Sequence, residues 1–527
     1  MHDCLFRDAR VVDGSGRPAA RADVAVESGR IAAVGDVAAA SARRVVDVGG
    51  RTLAPGFIDL HTHSDFTLPR FPRAQSMVRQ GVTTQLVGNC GFSTFPVAAG
   101  RVDLLRDAAD FLDAGLEWDW TSAAEYAAML DALPLACNVA LQVGHGAVRI
   151  AVMGFDRREP AQAELSRMQD LVAEALRQGA FGLSTGLIYP PSSYAATDEL
   201  AGVAAVAARH GGFYSSHLRG EGDTLLEAVD EALHVGRTAG MPVQLSHHKA
   251  SGRANWGRVD SSLAMIDRAR AEGQDVLADQ YPYTAASTTL TTIVPEWAMA
   301  DGAEGLQRLL AEPDRRARLA RELDSAGARE FALDSVMIAS VPDGADGSIE
   351  GRMLTDIADE RGQRPLDVAL DLLQRLGGGV EMVAFVMSED DVRTVMRHPA
   401  VAVASDGWTL SPEAGGKPHP RSYGTYARVL GTYVRQEGVL SLEEAVRKMT
   451  SLPARRLGRD DLGRVRPGCA ADLVVFDPDR VADRATYADP HRFCEGVDHV
   501  VVGGRLVVED GRDTGEAAGR ALRRGVP

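Results

Sequence analysis

The chain has 527 residues and a formal net charge of −16, with 57 Lys+Arg against 73 Asp+Glu. That length calls for two or three domains, or one large α/β barrel with appendages. The acidic balance excludes nucleic acid or an anionic membrane as the main partner and leaves small anionic substrates open.

The N-terminus, "MHDCLFRDARVVDG", reads as a strand and turn rather than a signal peptide. No stretch approaches the about 18 continuous apolar residues of a transmembrane helix. The five cysteines, Cys4, Cys90, Cys137, Cys469 and Cys494, are odd in number and irregular in spacing. They make no disulfide framework and fit a reducing cytoplasm.

Residues 1–54 read as β-branched runs divided by turn glycines, and the end of the chain, 456–527, has the same texture in "CAADLVVFDP" and "HVVVGGRLVVEDGR". The two segments are expected to pair into one small β-sandwich domain, since chain termini commonly lie close together. Between them, over 55–455, strand and helix patterns alternate. The strands are "PGFIDLHTH", "TTQLVGNCG", "NVALQVGHG", "AFGLSTGL", "GGFYSSHLR", "PVQLSHHK", "QDVLADQYPY" and "AVAVASDG". Segments such as "ELSRMQDLVAEALRQG" and "GDTLLEAVDEALHVGRTAG" place apolar residues at three- and four-residue spacing. Eight strands with intervening helices predict an α/β fold, a (β/α)8 TIM-like barrel. The stretch from about 288 to 380 exceeds one helix and reads as an insertion before the eighth strand.

The metal-capable residues fall at the ends of these strands: His61 and His63, Cys90, His145, His217, His247 and His248, and Asp406. Barrel active sites sit at the carboxyl ends of the strands. Each residue alone has a plainer reading. His145 reads as a packed barrel histidine, Cys90 as a small buried apolar residue, and Asp406 as a turn residue before Gly407. One of His247 and His248 is structural, because adjacent strand residues point to opposite faces, and alternation does not choose between them. Together the imidazoles and the thiolate form a Zn2+ ligand set, with a carboxylate available as base.

The motifs "PGFIDLHTHSDF", "GVTTQLVGNCG", "GLSTGLIYPPSSYA", "SSHLRGEG", "LSHHKASG", "DQYPYTAAST" and "SDGWTL...KPHPRSYGTYARVLG" resemble the D-aminoacylase (N-acyl-D-amino-acid deacylase) family of the amidohydrolase superfamily. The resemblance covers nearly the whole chain and implies the same barrel with a small β-domain. Other amidohydrolases bridge two metals with a carboxylated lysine on strand four. Here "GAFGLSTGLIYPP" has no lysine, and the chain has only Lys249, Lys417 and Lys448. In the family that resemblance points to, a cysteine takes this role, and Cys90 matches it.

The resemblance implies a tight zinc held by Cys90, His217 and His247. It implies a second, weaker site at His61 and His63 that shares Cys90. Asp406 matches the catalytic aspartate, and Tyr189, Tyr281 and Ser287 match substrate-contacting positions. Lys249, beside the ligand pair, and Arg421 are the expected partners of a substrate α-carboxylate. The implied reaction is hydrolysis of small-molecule N-acyl-D-amino acids by metal-bound hydroxide, with Asp406 as general base and then acid. The D preference rests on the resemblance alone, and "HTHSD" departs from the "HTHDD" of some members. A cyclic-amide hydrolase, hydantoinase- or dihydroorotase-like, is the alternative enzyme, and the missing strand-four lysine argues against it. A non-catalytic scaffold of the same fold is the alternative of another class; retention of every ligand and the base argues against that.

Overall fold

A computed structural model describes the chain apart from residues 38–40, 113, 326–331 and 527. The expected barrel is present as one eight-stranded sheet in which every neighbouring pair is parallel. Its strands, numbered one to eight in chain order, are Phe57–Asp59, Val82–Val87, Asn138–Gly144, Gly182–Gly186, Phe213–His217, Val243–Leu245, Val276–Gln280 and Val401–Val403. All of their residues are buried, as strands covered on both faces require. Closure between strands one and eight lies just past their ends. Thr62 bridges Gly407 in parallel register. Asp406 N–H donates to His61 O at 2.8 Å and His63 N–H to Gly407 O at 2.9 Å. The same hydrogen bonds that close the barrel therefore fix the backbone of two histidines against that of Asp406.

The outer helices form where the apolar spacing predicts them. Leu225–Ala239 buries Leu225, Ala228, Val229, Ala232, Leu233 and Val235 along one stripe. It stops at Gly240, whose φ of 67° makes the left-handed cap that a side chain disfavours.

Strands from both chain ends share one nine-stranded sheet, with Thr52–Pro55 antiparallel to Leu473–Phe476 at its centre. The strand Arg30–Gly35 returns to the segment before Leu473, through Ile31 N–H to Cys469 O and Ala471 N–H to Gly29 O, both 2.9 Å. The sheet thus folds over its own core, which includes Phe6, Val24, Ile31, Leu53, Leu473 and Val501. Strands from both termini thus build one β-sheet beside the barrel.

Between strands seven and eight a separate α/β unit is inserted. Its four-stranded antiparallel sheet has the order Ala286–Thr289, Glu381–Ala384, Val336–Ser340, Arg352–Met353. Helices including Gly302–Ala311, Leu354–Arg361 and Pro365–Leu376 cover it, around a core that contains Leu290, Ile338, Leu354, Leu370 and Met382. Among the described residues no helix is long and apolar enough to cross a membrane.

Candidate functional site

The site begins with a close approach. The loop after strand two crosses the end of strand four, where Gly91 N–H donates to Ser184 Oγ at 3.1 Å. A Cβ at Gly186, the last residue of strand four, would collide with the carbonyl oxygen of Cys90. Glycine at 186 therefore lets Cys90 lie directly over strand four, the strand on which other amidohydrolases carry their bridging lysine. Strand four itself, Gly182–Gly186, carries no lysine. Three site residues hold positive φ although none is glycine: Cys90 at 53°, His247 at 34° and Asp406 at 51°. Such backbone is costly and collects at functional sites. Here each one turns a side chain inward just past the end of its strand.

Those side chains converge. Cys90 Sγ lies 3.2 Å from His61 Nε2 and 3.6 Å from His247 Nε2. His247 Nε2 lies 2.8 Å from His217 Nδ1. Asp406 Oδ1 lies 3.2 Å from His61 Nε2 and 3.3 Å from His63 Nε2. All are buried. Donor atoms of His61, Cys90, His247 and Asp406 lie within 4.8 Å of one another, as do those of His217, Glu221 and His247. Burial opposes ionisation of the Cys90 thiol, but His61, and hydrogen bonds from His217, His247 and His61, hold it well below its ordinary value. Burial likewise opposes charge on Asp406, yet Arg421, His61 and His247 keep its carboxyl well below the usual range. Burial and Lys249 disfavour the His247 imidazolium, but Glu221, Asp406 and Cys90 raise it to about 9.

The thiol and the carboxyl thus both favour their charged forms beside this group of imidazoles. That is where a divalent cation fits. His217 Nε2 and His63 Nδ1 are buried without a hydrogen-bond partner, and each ring turns its other nitrogen into the cluster. The donor set, thiolate with imidazoles, is that of a borderline cation rather than of Mg2+ or Ca2+.

Behind the cluster stand carboxylates that sequence reasoning missed. Asp279, on strand seven, faces His61 Nδ1 at 3.2 Å and accepts the His247 backbone N–H at 2.7 Å. Gln244 donates to its other oxygen at 2.7 Å. Glu221 lies 2.9 Å from His247 Nδ1 and 2.6 Å from Lys249 Nζ. Holding the second nitrogen of a ligand histidine fixes its ring and raises its basicity. Asp279 was visible as a carboxylate within the strand VLADQ, and Glu221 as an acid four residues after His217.

His248 turns away. Its Nε2 meets Ser262 Oγ at 2.8 Å, and burial pushes its pKa down to about 4. His145 sits at the start of the helix His145–Met153, outside the cluster. It contacts Ser192 Oγ at 2.8 Å and Glu199 at 3.0 Å, and Glu199 also holds the fully buried Arg149 at 2.6 Å.

The cluster opens into a cavity lined by His63, Cys90, His217, His247 and Asp406 and by all five residues expected to contact substrate: Tyr189, Lys249, Tyr281, Ser287 and Arg421. Lys249 Nζ and the Arg421 guanidinium lie 5.7 and 5.0 Å from the centre of the Tyr281 ring. The Tyr281 hydroxyl is buried without a partner. Arg421 donates from Nη1 to Asp406 Oδ2 at 2.7 Å and from Nη2 to Ser287 O at 3.2 Å. Ser287 Oγ donates to Glu381 at 2.7 Å, and the Tyr189 hydroxyl meets Thr288 Oγ1 at 2.9 Å. The inserted unit thus supplies one wall of the cavity through its first strand.

The Amidohydrolase family model matches residues 44–508. The chain is 38% identical over 522 residues to the D-aminoacylase of Alcaligenes xylosoxydans xylosoxydans, covering 99% of this chain and 98% of that one. It is 39% identical over 528 residues to the N-acyl-D-glutamate deacylase of the same organism, covering 99% and 96%. It also matches a crystal structure of the N-acyl-D-glutamate deacylase of Bordetella bronchiseptica, complexed with zinc and a phosphonate mimic of the tetrahedral intermediate. That match has a TM-score of 0.84 and 36% identity and covers 99% of each chain.

Proposed function

Because the chain belongs to the amidohydrolase family, and to its D-aminoacylase branch, we propose that it hydrolyses N-acyl-D-amino acids at a zinc centre, releasing a carboxylic acid and a D-amino acid. One observation carries the reading: Cys90 lies over strand four between two pairs of histidines, facing a carboxylate held by Arg421. Cys90, His217 and His247 would hold the tight zinc, and His61 and His63 would form a weaker half that shares Cys90. Bound zinc supplies Lewis acidity, which makes water a nucleophile near neutral pH and polarises the amide carbonyl.

The protein's own groups do the rest. Asp406 takes a proton from the attacking water and returns it to the departing nitrogen, so one carboxylate serves both steps. Asp279 and Glu221 hold His61 and His247 in register. Lys249, Arg421 and the unpartnered Tyr281 hydroxyl receive the substrate α-carboxylate, and Ser287 and Tyr189 orient the amide. The apolar lining, with Phe92, Phe111, Ile188 and Trp408, excludes water and strengthens each of these contacts. The five cysteines are unpaired, which fits a cytoplasmic enzyme.

The test is a paired assay of N-acetyl-D- and N-acetyl-L-amino acids, with hydantoin and dihydroorotate alongside. Release of free D-amino acids with little L turnover supports the reading. Turnover of the cyclic amides alone would replace it with the cyclic-amide alternative.

A further inference from the structure

A second chamber adjoins the substrate cavity, and the two share the walls Phe92, Phe111 and Tyr189. Two of these rings stand against the metal cluster: Phe92 packs on His63 at 6.2 Å between ring centres and Tyr189 on His217 at 5.1 Å. Beyond them the chamber is bounded by Phe155, Met299 and the carboxylate of Asp107, its one charged lining residue. Asp107 Oδ2 accepts the backbone N–H of Ala303 at 3.1 Å, which ties it to the inserted unit.

Charge decides what enters. Apart from the imidazoles of the metal cluster, the cations lining either space among the described residues are Lys249 and Arg421. Both already face carboxylates, Glu221 and Asp406, and both are assigned to the substrate α-carboxylate. Arg157, close to Phe155 in sequence, does not line the chamber and is paired with Glu296 at 3.3 Å. A second carboxylate on the substrate would therefore meet no unassigned cation and would face Asp107. Burying an unpaired charge is far costlier than burying an apolar group.

We propose that the second chamber receives an uncharged apolar substituent of the substrate, and that the protein acts on N-acyl-D-amino acids with neutral side chains rather than acidic ones. This rests on the deacylase reading above. The substituent is either the amino-acid side chain or the acyl tail.

The test compares kcat/KM of the zinc-loaded full-length protein on N-acetyl-D-leucine, N-acetyl-D-phenylalanine, N-acetyl-D-glutamate, N-acetyl-D-aspartate and N-octanoyl-D-alanine. Neutral substrates are expected to exceed acidic ones by about 100-fold, the scale of a like-charge contact with no compensating partner. Phe155→Trp narrows the chamber. A loss of about tenfold on N-acetyl-D-phenylalanine places the side chain there, and the same loss on N-octanoyl-D-alanine places the acyl tail. Asp107→Asn needs no repacking and is expected to raise the glutamate-to-leucine ratio by about tenfold. Equal or better turnover of the acidic substrates overturns the proposal. So does a Phe155→Trp variant unchanged on both probes together with an Asp107→Asn variant of unchanged ratio. Turnover of none of the five substrates would overturn the deacylase reading itself, a result distinct from a preference for the acidic ones.

Discussion

Replacing Asp406 by Asn keeps the shape of the side chain and removes its charge and basicity. Two consequences follow from its contacts. First, the residue that receives and returns a proton is lost, which costs about 10²–10⁴ in turnover for a positioned general base. Second, Arg421, buried with 2% of its surface exposed, loses the carboxylate 2.7 Å from its Nη1. Removing one partner of a buried ion pair destabilises by about 3–5 kcal/mol, because the remaining charge is left uncompensated. With an unfolding entropy of about 2.1 cal/mol/K per residue, the 527-residue chain changes by about 1.1 kcal/mol per degree near its midpoint. The expected fall in Tm is then about 3–5 °C. Adding Arg421→Met to Asp406→Asn should restore most of the Tm and none of the turnover. The assays are single-turnover kinetics, zinc content and calorimetry on the same preparations. The reasoning fails if Asp406→Asn keeps near-normal turnover with its zinc in place. It also fails if the variant loses the tight zinc, which would make Asp406 a ligand rather than the base.

Three further outcomes follow from the geometry. Lys249→Met should raise KM for N-acetyl-D-amino acids by about tenfold or more, the worth of a charge-assisted hydrogen bond to a carboxylate; an unchanged KM would remove Lys249 from the carboxylate site. His247→Ala should abolish tight zinc binding, whereas His248→Ala should leave zinc in place and lower only stability, and a zinc-free His248→Ala variant would reverse the assignment. Glu381, raised by burial from 4.5 to about 7, gives a pH dependence of stability. Its folded state binds the proton more tightly than the unfolded chain, so its contribution is complete below about pH 4.5 and is lost as pH rises through 7. Urea unfolding of Glu381→Gln should lack that decline, and an identical decline in the variant would assign it to other groups.

Much of the fold was readable because a barrel repeats one unit: an apolar run that ends in a polar residue, followed by a helix with a 3.6-residue period. The same repetition put Cys90, His217 and His247 at strand ends, where only their convergence remained to be seen. His145 obeyed the same pattern and still lies outside the cluster, because strand three runs straight into a helix and its imidazole meets Glu199. Alternation could not separate His247 from His248. The difference lies in a backbone φ of 34° at His247 and in Ser262, 14 residues on from His248, which captures the second ring. The inserted sheet was illegible for another reason. Its strand Glu381–Ala384 pairs with Ala286–Thr289 and Val336–Ser340, across separations that no local pattern records. Glu221 and Asp279 act through a histidine rather than through a motif of their own, so a single sequence does not set them apart from other carboxylates.

The central claim is that a cation held through Cys90 performs the chemistry. Zinc content and turnover of N-acetyl-D-leucine measured together, for the parent protein and for Cys90→Ala, test it most directly. The account predicts one tight zinc equivalent in the parent, and loss of both that zinc and the turnover in the variant. A Cys90→Ala protein that keeps its zinc and its turnover would contradict it.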